Sequence, residues 1–229
     1  MWRMEQFRGT EAPVDRFALI SRRPDVALLV AWRQVWPWCV GWIVTSAVIF
    51  AGILAVDHPL ALLIRDRTEP MKVAALLVHL PEGIAGITII GAAALGVWRA
   101  LIGQLRGAWR DAFLACLGIC VALALKSELK VLFGRVPPEA WFLHQSAPLR
   151  NFHRFYYAGS FPSGHMAVLG VLLAFVWAYA LPLRLLWLLV CGAVGGALMI
   201  MEAHFLTDLL AGALLGLTVG SVCRRIARM

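Results

Sequence analysis

The chain has 229 residues, 61% of them hydrophobic and only 15% charged, with a mean hydropathy of +0.79 and a formal net charge of +8 at pH 7. A soluble domain of this length needs a more polar surface, so the composition excludes one and points to an all-α, polytopic membrane protein. In so apolar a chain the basic excess reads as membrane topology and affinity for anionic lipid, and a nucleic-acid partner is not expected.

Residues 1–34 form a mixed-charge segment, expected to be a cytoplasmic or interfacial tail. The first uncharged run, 35–56, is long enough for the roughly 20 helical residues that cross a bilayer core. It is too long for the apolar part of a cleaved signal. Trp32, Trp36, Trp38 and Trp42 crowd its start like an interfacial aromatic belt. Residues 57–72 are charged but carry the apolar stripe Leu60 to Ile64, which predicts a short helix on the outer surface. A second span covers 83–98 and extends back through 73–80, across Pro81 and Glu82. A third, 112–125, runs on into Lys126 and Lys130. The long loop 134–162 is rich in aromatic residues and holds Arg150, His153 and Arg154. Spans at 166–183, 185–201 and 209–223 complete a set of six transmembrane helices. They define a membrane domain over 35–223, followed by a basic cytoplasmic tail over 224–229. Cys39, Cys116, Cys120, Cys191 and Cys223 all lie in or beside apolar runs, without a Cys-x-x-Cys pair, and read as small core residues.

The basic residues favour one side. The first tail holds Arg3, Arg8, Arg16, Arg22, Arg23 and Arg33. Arg99, Arg106, Arg110 and Arg184 lie in loops of the same side, and Arg224, Arg225 and Arg228 end the chain. The positive-inside tendency puts that side in the cytoplasm, with both termini inside. Parity then carries Arg135, His165 and His204 to the outer interface of the plasma (inner) membrane. Lys126, Lys130, Glu202, His204 and Asp208 are ionisable residues at the ends of spans. Such residues are costly in lipid and usually face the bundle interior.

Pro162-Ser163-Gly164-His165 opens the fourth span. Ser163 is a natural N-cap, and the first-turn N–H groups of the helix it caps suit a bound phosphate. His165 in that turn can reach a phosphate oxygen; alternatively, Pro-Ser-Gly simply starts a helix. His204 and Asp208 are four apart and share one face if helical. A carboxylate there can orient an imidazole and support positive charge on it, as a nucleophilic histidine requires. A structural hydrogen bond, or a zinc site built from two histidines and an aspartate, are the other readings of those residues. Lys130 and Arg135 fit anion binding, or interfacial snorkelling.

These residues together resemble the type 2 phosphatidic acid phosphatase superfamily, the integral-membrane lipid phosphate phosphatases. The family signatures are Lys-x6-Arg-Pro, Pro-Ser-Gly-His and Ser-Arg-x5-His-x3-Asp. The second is complete at residues 162–165, and the third is present at His204 and Asp208. Two departures stand out. Ala197 and Leu198 occupy the Ser-Arg positions, and Pro137 stands where Lys130 would lead to an arginine, leaving Arg135 two residues earlier. The resemblance implies a six-helix bundle and a hydrolase of lipid phosphates or diphosphates that needs no metal or other cofactor. It implies His204 as nucleophile, Asp208 as its orienting partner and His165 as the acid for the leaving oxygen. Lys130, Arg135, Ser163 and Gly164 would hold the phosphate, with Arg150 and Arg154 as possible substitutes for the absent arginines. A lipid phosphotransferase and a non-catalytic lipid-phosphate binder or carrier are the alternatives. The sequence specifies neither the lipid nor an oligomeric state.

Overall fold

The computed structural model describes residues 24–68, 72–153, 155, 159–178 and 181–228. Their helices, in chain order, are α1 (Pro24–Ala55), α2 (Asp57–Arg67), α3 (Lys72–Ile102), α4 (Ala108–Phe133), α5 (Pro138–His144), a 3-10 turn (Pro148–Asn151), α6 (Gly164–Val176), α7 (Leu181–Ile200) and α8 (Leu206–Ala227). Residues 1–44 and 45–229 are two compact units, and the second contains α2 to α8. The fold is all-α, and the chain is a multi-pass membrane protein.

Among the described residues, five stretches are long and apolar enough to cross a membrane: Val35–Ala55, Ala74–Ile102, Ala108–Phe133, Leu181–Ile200 and Leu206–Ala227. The remaining expected span corresponds to α6, which has 13 residues. At 1.5 Å per residue it extends about 20 Å, short of the ~30 Å hydrocarbon core. Ala167, Val168, Leu169 and Val171 of α6 are fully buried, so protein, not lipid, surrounds that face. The break expected between spans 166–183 and 185–201 also lies elsewhere. Helix α6 already ends at Val176, and α7 starts at Leu181 with Pro182 in its first turn, where a missing N–H costs little.

Local chemistry sets the helix ends around the site. The Ser163 hydroxyl accepts the Met166 N–H at 3.5 Å and caps α6. Helix α4 closes on Gly134 at φ +56°, whose N–H reaches the Lys130 carbonyl. Helix α7 ends in a Schellman turn. Ala203 N–H donates to Leu198 O (3.0 Å) and Glu202 N–H to Met199 O (3.1 Å), with Glu202 at φ +54° in the place glycine usually takes.

The tightest seam joins α6 to α8. A Cβ on Gly212 would lie 2.2 Å from the Ser163 carbonyl oxygen, one on Gly216 2.1 Å from that of Ala167, and one on Gly220 2.7 Å from that of Val171. Glycine every fourth residue lets the two backbones touch, as membrane helices do where small residues line a contact. The seam places the start of α6 against the start of α8, where Ser163 N–H donates to the Asp208 carbonyl at 3.0 Å.

Candidate active site

Two polar groups meet at this junction. The first is built on Arg135, completely buried in the loop after α4. Its backbone is held by an antiparallel bridge to Phe152, and its carbonyl accepts the Ser160 N–H at 2.7 Å. The guanidinium lies over the Phe205 ring, 4.2 Å from the centroid. One of its nitrogens donates to Asp208 Oδ1 at 2.6 Å and to Thr207 Oγ1 at 2.8 Å, and another donates to Asp57 Oδ2 at 2.7 Å. Asp57, the first residue of α2, also accepts the Thr207 N–H at 3.1 Å and the Thr207 hydroxyl. Arg135, Asp57 and Asp208 are all buried, so one positive charge faces two negative ones. That balance leaves a net negative charge beside whatever Asp208 touches.

Asp208 touches His204. Its Oδ2 accepts the Phe205 N–H at 2.9 Å, which closes the first turn of α8, and lies 3.7 Å from His204 Nδ1. His204 precedes α8, so the pair does not arise from two residues on one helical face, as their spacing suggests. It arises because Asp208, in the first turn, reaches back over the helix start. The 3.7 Å gap is longer than a hydrogen bond, and Nδ1 is buried without a hydrogen-bond partner among the described residues. A small closure would engage it, as happens in many sites when substrate binds.

The second group is a cavity of about 170 Å³ on the other side of His204. Glu82 of α3, Lys126 and Lys130 of α4, and Gly164 and His165 of α6 line it together with His204. The His165 and His204 rings are edge to face, with centroids 6.0 Å apart. Glu82 Oε1 lies 3.5 Å from His165 Nε2. Another space, between α2, α5 and His204, measures only about 10 Å³ and holds at most one water. Of these two spaces beside His204, the one on the lysine side has room for a phosphoryl group.

The sequence-suggested residues divide accordingly. His165, His204, Lys130 and Gly164 share the cavity, and Asp208 backs His204. Ser163 is buried as the N-cap of α6 and does not line the cavity. Arg135, suggested as a phosphate ligand, faces two carboxylates instead. Arg150 is exposed in the 3-10 turn, away from the cavity lining, and Arg154 lies outside the described residues. Each Asp208 oxygen already accepts a hydrogen bond, from Arg135 and from the Phe205 N–H, which favours the orienting role over a zinc ligand.

The family model described as the PAP2 superfamily matches residues 111–229, just over half the chain. The chain belongs to the PAP2 superfamily. Among curated proteins none matches it. Its fold is similar to the crystal structure described as the first transmembrane PAP2 type phosphatidylglycerolphosphate phosphatase from Bacillus subtilis, with a TM-score of 0.58 and 20% identity. The match covers 86% of this chain and 96% of that one.

One residue of this PAP2 site, Asp57, escapes a reading of the sequence, while Glu82 and Lys126 stand out in it as charges within the second and third spans. Asp57 and Glu82 lie outside the family match, and Lys126 lies just before the first signature, which starts at Lys130. A lone carboxylate at the end of a span has no local pattern that marks it as a partner of Arg135. Lys126 does carry a signal. It stands one helical turn before Lys130, so the two share a face of α4.

Proposed function

We propose that the protein is a membrane phosphatase of lipid phosphates or diphosphates, working through a phosphohistidine on His204 at the outer face of the inner membrane. The observation that carries this reading is the His204–Asp208 pair, backed by a buried Arg135–Asp57 network and opening on a lysine-lined cavity with His165. At 170 Å³ the cavity is smaller than the roughly 300 Å³ or more of pockets that enclose whole small molecules. It suits a phosphorylated headgroup whose tail stays among the helices, consistent with the exposed apolar faces of α3 and α4 at Ile87, Ile90, Leu125 and Leu132.

In the proposed reaction His204 Nε2 attacks phosphorus as the bond to the leaving oxygen breaks. His165 gives that oxygen its proton. The imidazole becomes cationic, and the net negative charge of the Asp208–Arg135–Asp57 group offsets it. Water then attacks the phosphohistidine, giving its proton to His165, and phosphate leaves. The first-turn N–H groups of α6 and the lysines face the charge on the phosphoryl oxygens. Phosphoryl transfer depends mainly on such positioning and electrostatics. The outer-face assignment rests on the parity of the spans and the distribution of arginines.

The test is release of phosphate from a panel of lipid phosphates and diphosphates by purified protein, together with acid-quench trapping of phosphoprotein. His204→Ala should remove turnover and the acid-labile label. His165→Ala should retain more activity on esters with good leaving groups, because a general acid matters least there. Binding of these lipids without any turnover in the wild type would favour a carrier. Transfer to an added alcohol faster than to water would favour a phosphotransferase.

A further inference from the structure

From the cavity lining we infer that Lys126, together with Lys130, forms a two-lysine clamp for the phosphoryl group, taking the place of the arginines this chain lacks at positions 137 and 198. The inference rests on the phosphatase reading of the cavity and adds a phosphate-binding residue to it.

The two positions cannot serve. Leu198 is completely buried in the apolar cluster with Leu169, Val194 and Leu209. Pro137 caps α5 and is absent from the cavity lining. Arg135, two residues before Pro137, is already committed to two carboxylates and a hydroxyl. The cationic side chains lining the cavity, among the described residues, are Lys126 and Lys130. Neither has a carboxylate within ion-pair distance among the described residues. Two like charges one turn apart on a helix repel each other, and membrane depth makes an unpaired cation more costly. Such a pair facing a cavity is an anion site awaiting its ion.

Gly164 is what lets Lys126 into the cavity. A Cβ at Gly164 would lie 2.9 Å from Lys126 Cδ and 3.5 Å from its Nζ. The lysine stem therefore lies across the first residue of α6, with its ammonium beside the first-turn N–H groups. A phosphoryl group on those N–H groups, within reach of His204, would meet Lys126 at one oxygen and Lys130 at another. On this account Gly164 has a double use: its N–H faces the phosphate, and its missing side chain leaves room for the lysine.

A two-part experiment tests the clamp. Thermal unfolding of purified protein is followed with and without orthovanadate or orthophosphate, and turnover of a short-chain lipid phosphate is measured alongside. Lys126→Met should keep or raise the melting temperature of the free protein, because it relieves repulsion, while shrinking the stabilisation by vanadate. It should lower kcat/KM by roughly 10²-fold, the scale of losing one charge-stabilising donor. Lys126→Arg should recover most of both losses. If Lys126→Met leaves vanadate stabilisation and kcat/KM unchanged, the clamp is wrong, and the phosphatase reading stands on wild-type turnover alone. If the wild type itself neither turns over nor responds to either anion, the reading of the cavity fails first, and the clamp with it. A drop in the free protein's melting temperature that accounts for the lost turnover would make Lys126 structural and overturn the proposal.

Discussion

Arg135 and Lys126 are both cations set among the helices near His204, and they are in opposite electrostatic states. Arg135 is saturated in charge: two carboxylates, a hydroxyl and two aromatic rings surround it, with more negative than positive charge, and its Nε alone is left without a hydrogen-bond partner among the described residues. Lys126 and Lys130 are unsaturated and share an open cavity. A buried cation matched by carboxylates holds a geometry; unmatched ones at a cavity wait for a ligand. His204 stands between them, with Asp208 behind and the lysines ahead. The difference teaches that a basic residue near a site cannot be assigned to the substrate by position alone. Its existing partners decide.

The comparison breaks most visibly at Arg135. Arg135→Met leaves Asp57 and Asp208 buried without their cation, and removing one partner of a buried ion pair costs about 3–5 kcal/mol. Thermal unfolding in detergent should show a large drop, or no folded protein at all. Lys126→Met should show no such drop. Equal destabilisation by the two variants would erase the distinction between saturated and unsaturated cations.

A smaller effect is expected where the two regions are joined. In Gly212→Ala the new methyl would meet the Ser163 carbonyl oxygen at 2.2 Å, a backbone contact that can yield only if α6 shifts against α8. Overpacking of this kind costs about 1–3 kcal/mol. Because α6 carries His165 and α8 carries Asp208, turnover should fall more than stability predicts. A variant that is less stable yet fully active at low temperature would mean that the seam does not set the register of the site.

Asp57 sharpens the contrast more gently. Asp57→Asn keeps the shape and leaves Arg135 neutralised by Asp208 alone, removing the net negative charge behind His204. Asp57 touches no substrate and acts as a positioning residue. The chemical step should slow by roughly tenfold, or about 1.4 kcal/mol, with vanadate stabilisation unchanged. Loss of vanadate binding with an intact chemical step would place Asp57 with the cavity instead.

Much of the site is legible because its chemistry is local. Residues 162–165 are contiguous, and His204 and Asp208 are four apart. The apolar runs are equally plain, and each became a helix. What sequence does not convey is contact across distance. Thr207 and Asp57 are 150 positions apart, and nothing near Asp57 separates a buried network member from an interfacial charge. The length of α6 was obscured because its apolar run continues past Val176, where the helix stops. The seam was readable and easily overlooked: Gly212, Gly216 and Gly220 recur every four residues, the spacing of one helix face.

The smallest expected effect concerns His58, on the saturated side. Its ring stacks on Trp141 with centroids 4.0 Å apart and lies 5.5 Å from Phe205, and its Nε2 is buried without a hydrogen-bond partner among the described residues. The charged groups facing it are Arg135 and the adjacent Asp57. Burial lowers its pKa below the usual 6.5 and the Arg135 charge lowers it further, while Asp57 opposes them. The sign follows from proton uptake. As pH falls through about 6.5 the unfolded chain gains a proton on this residue before the folded protein does, so folding loses stability toward acid. The contribution is fully present above that pH and is lost as pH falls toward the lower folded value. His58→Phe keeps the aromatic stack and removes the titration. At pH 7.5 its melting temperature should match the wild type. Below pH 6.5 the wild type should decline more steeply, by at most one proton's worth, about 1.4 kcal/mol per pH unit. Parallel curves for the two proteins would mean that the fold does not disfavour a charge on His58, and that Asp57 and the net negative group around Arg135 outweigh the burial of the ring.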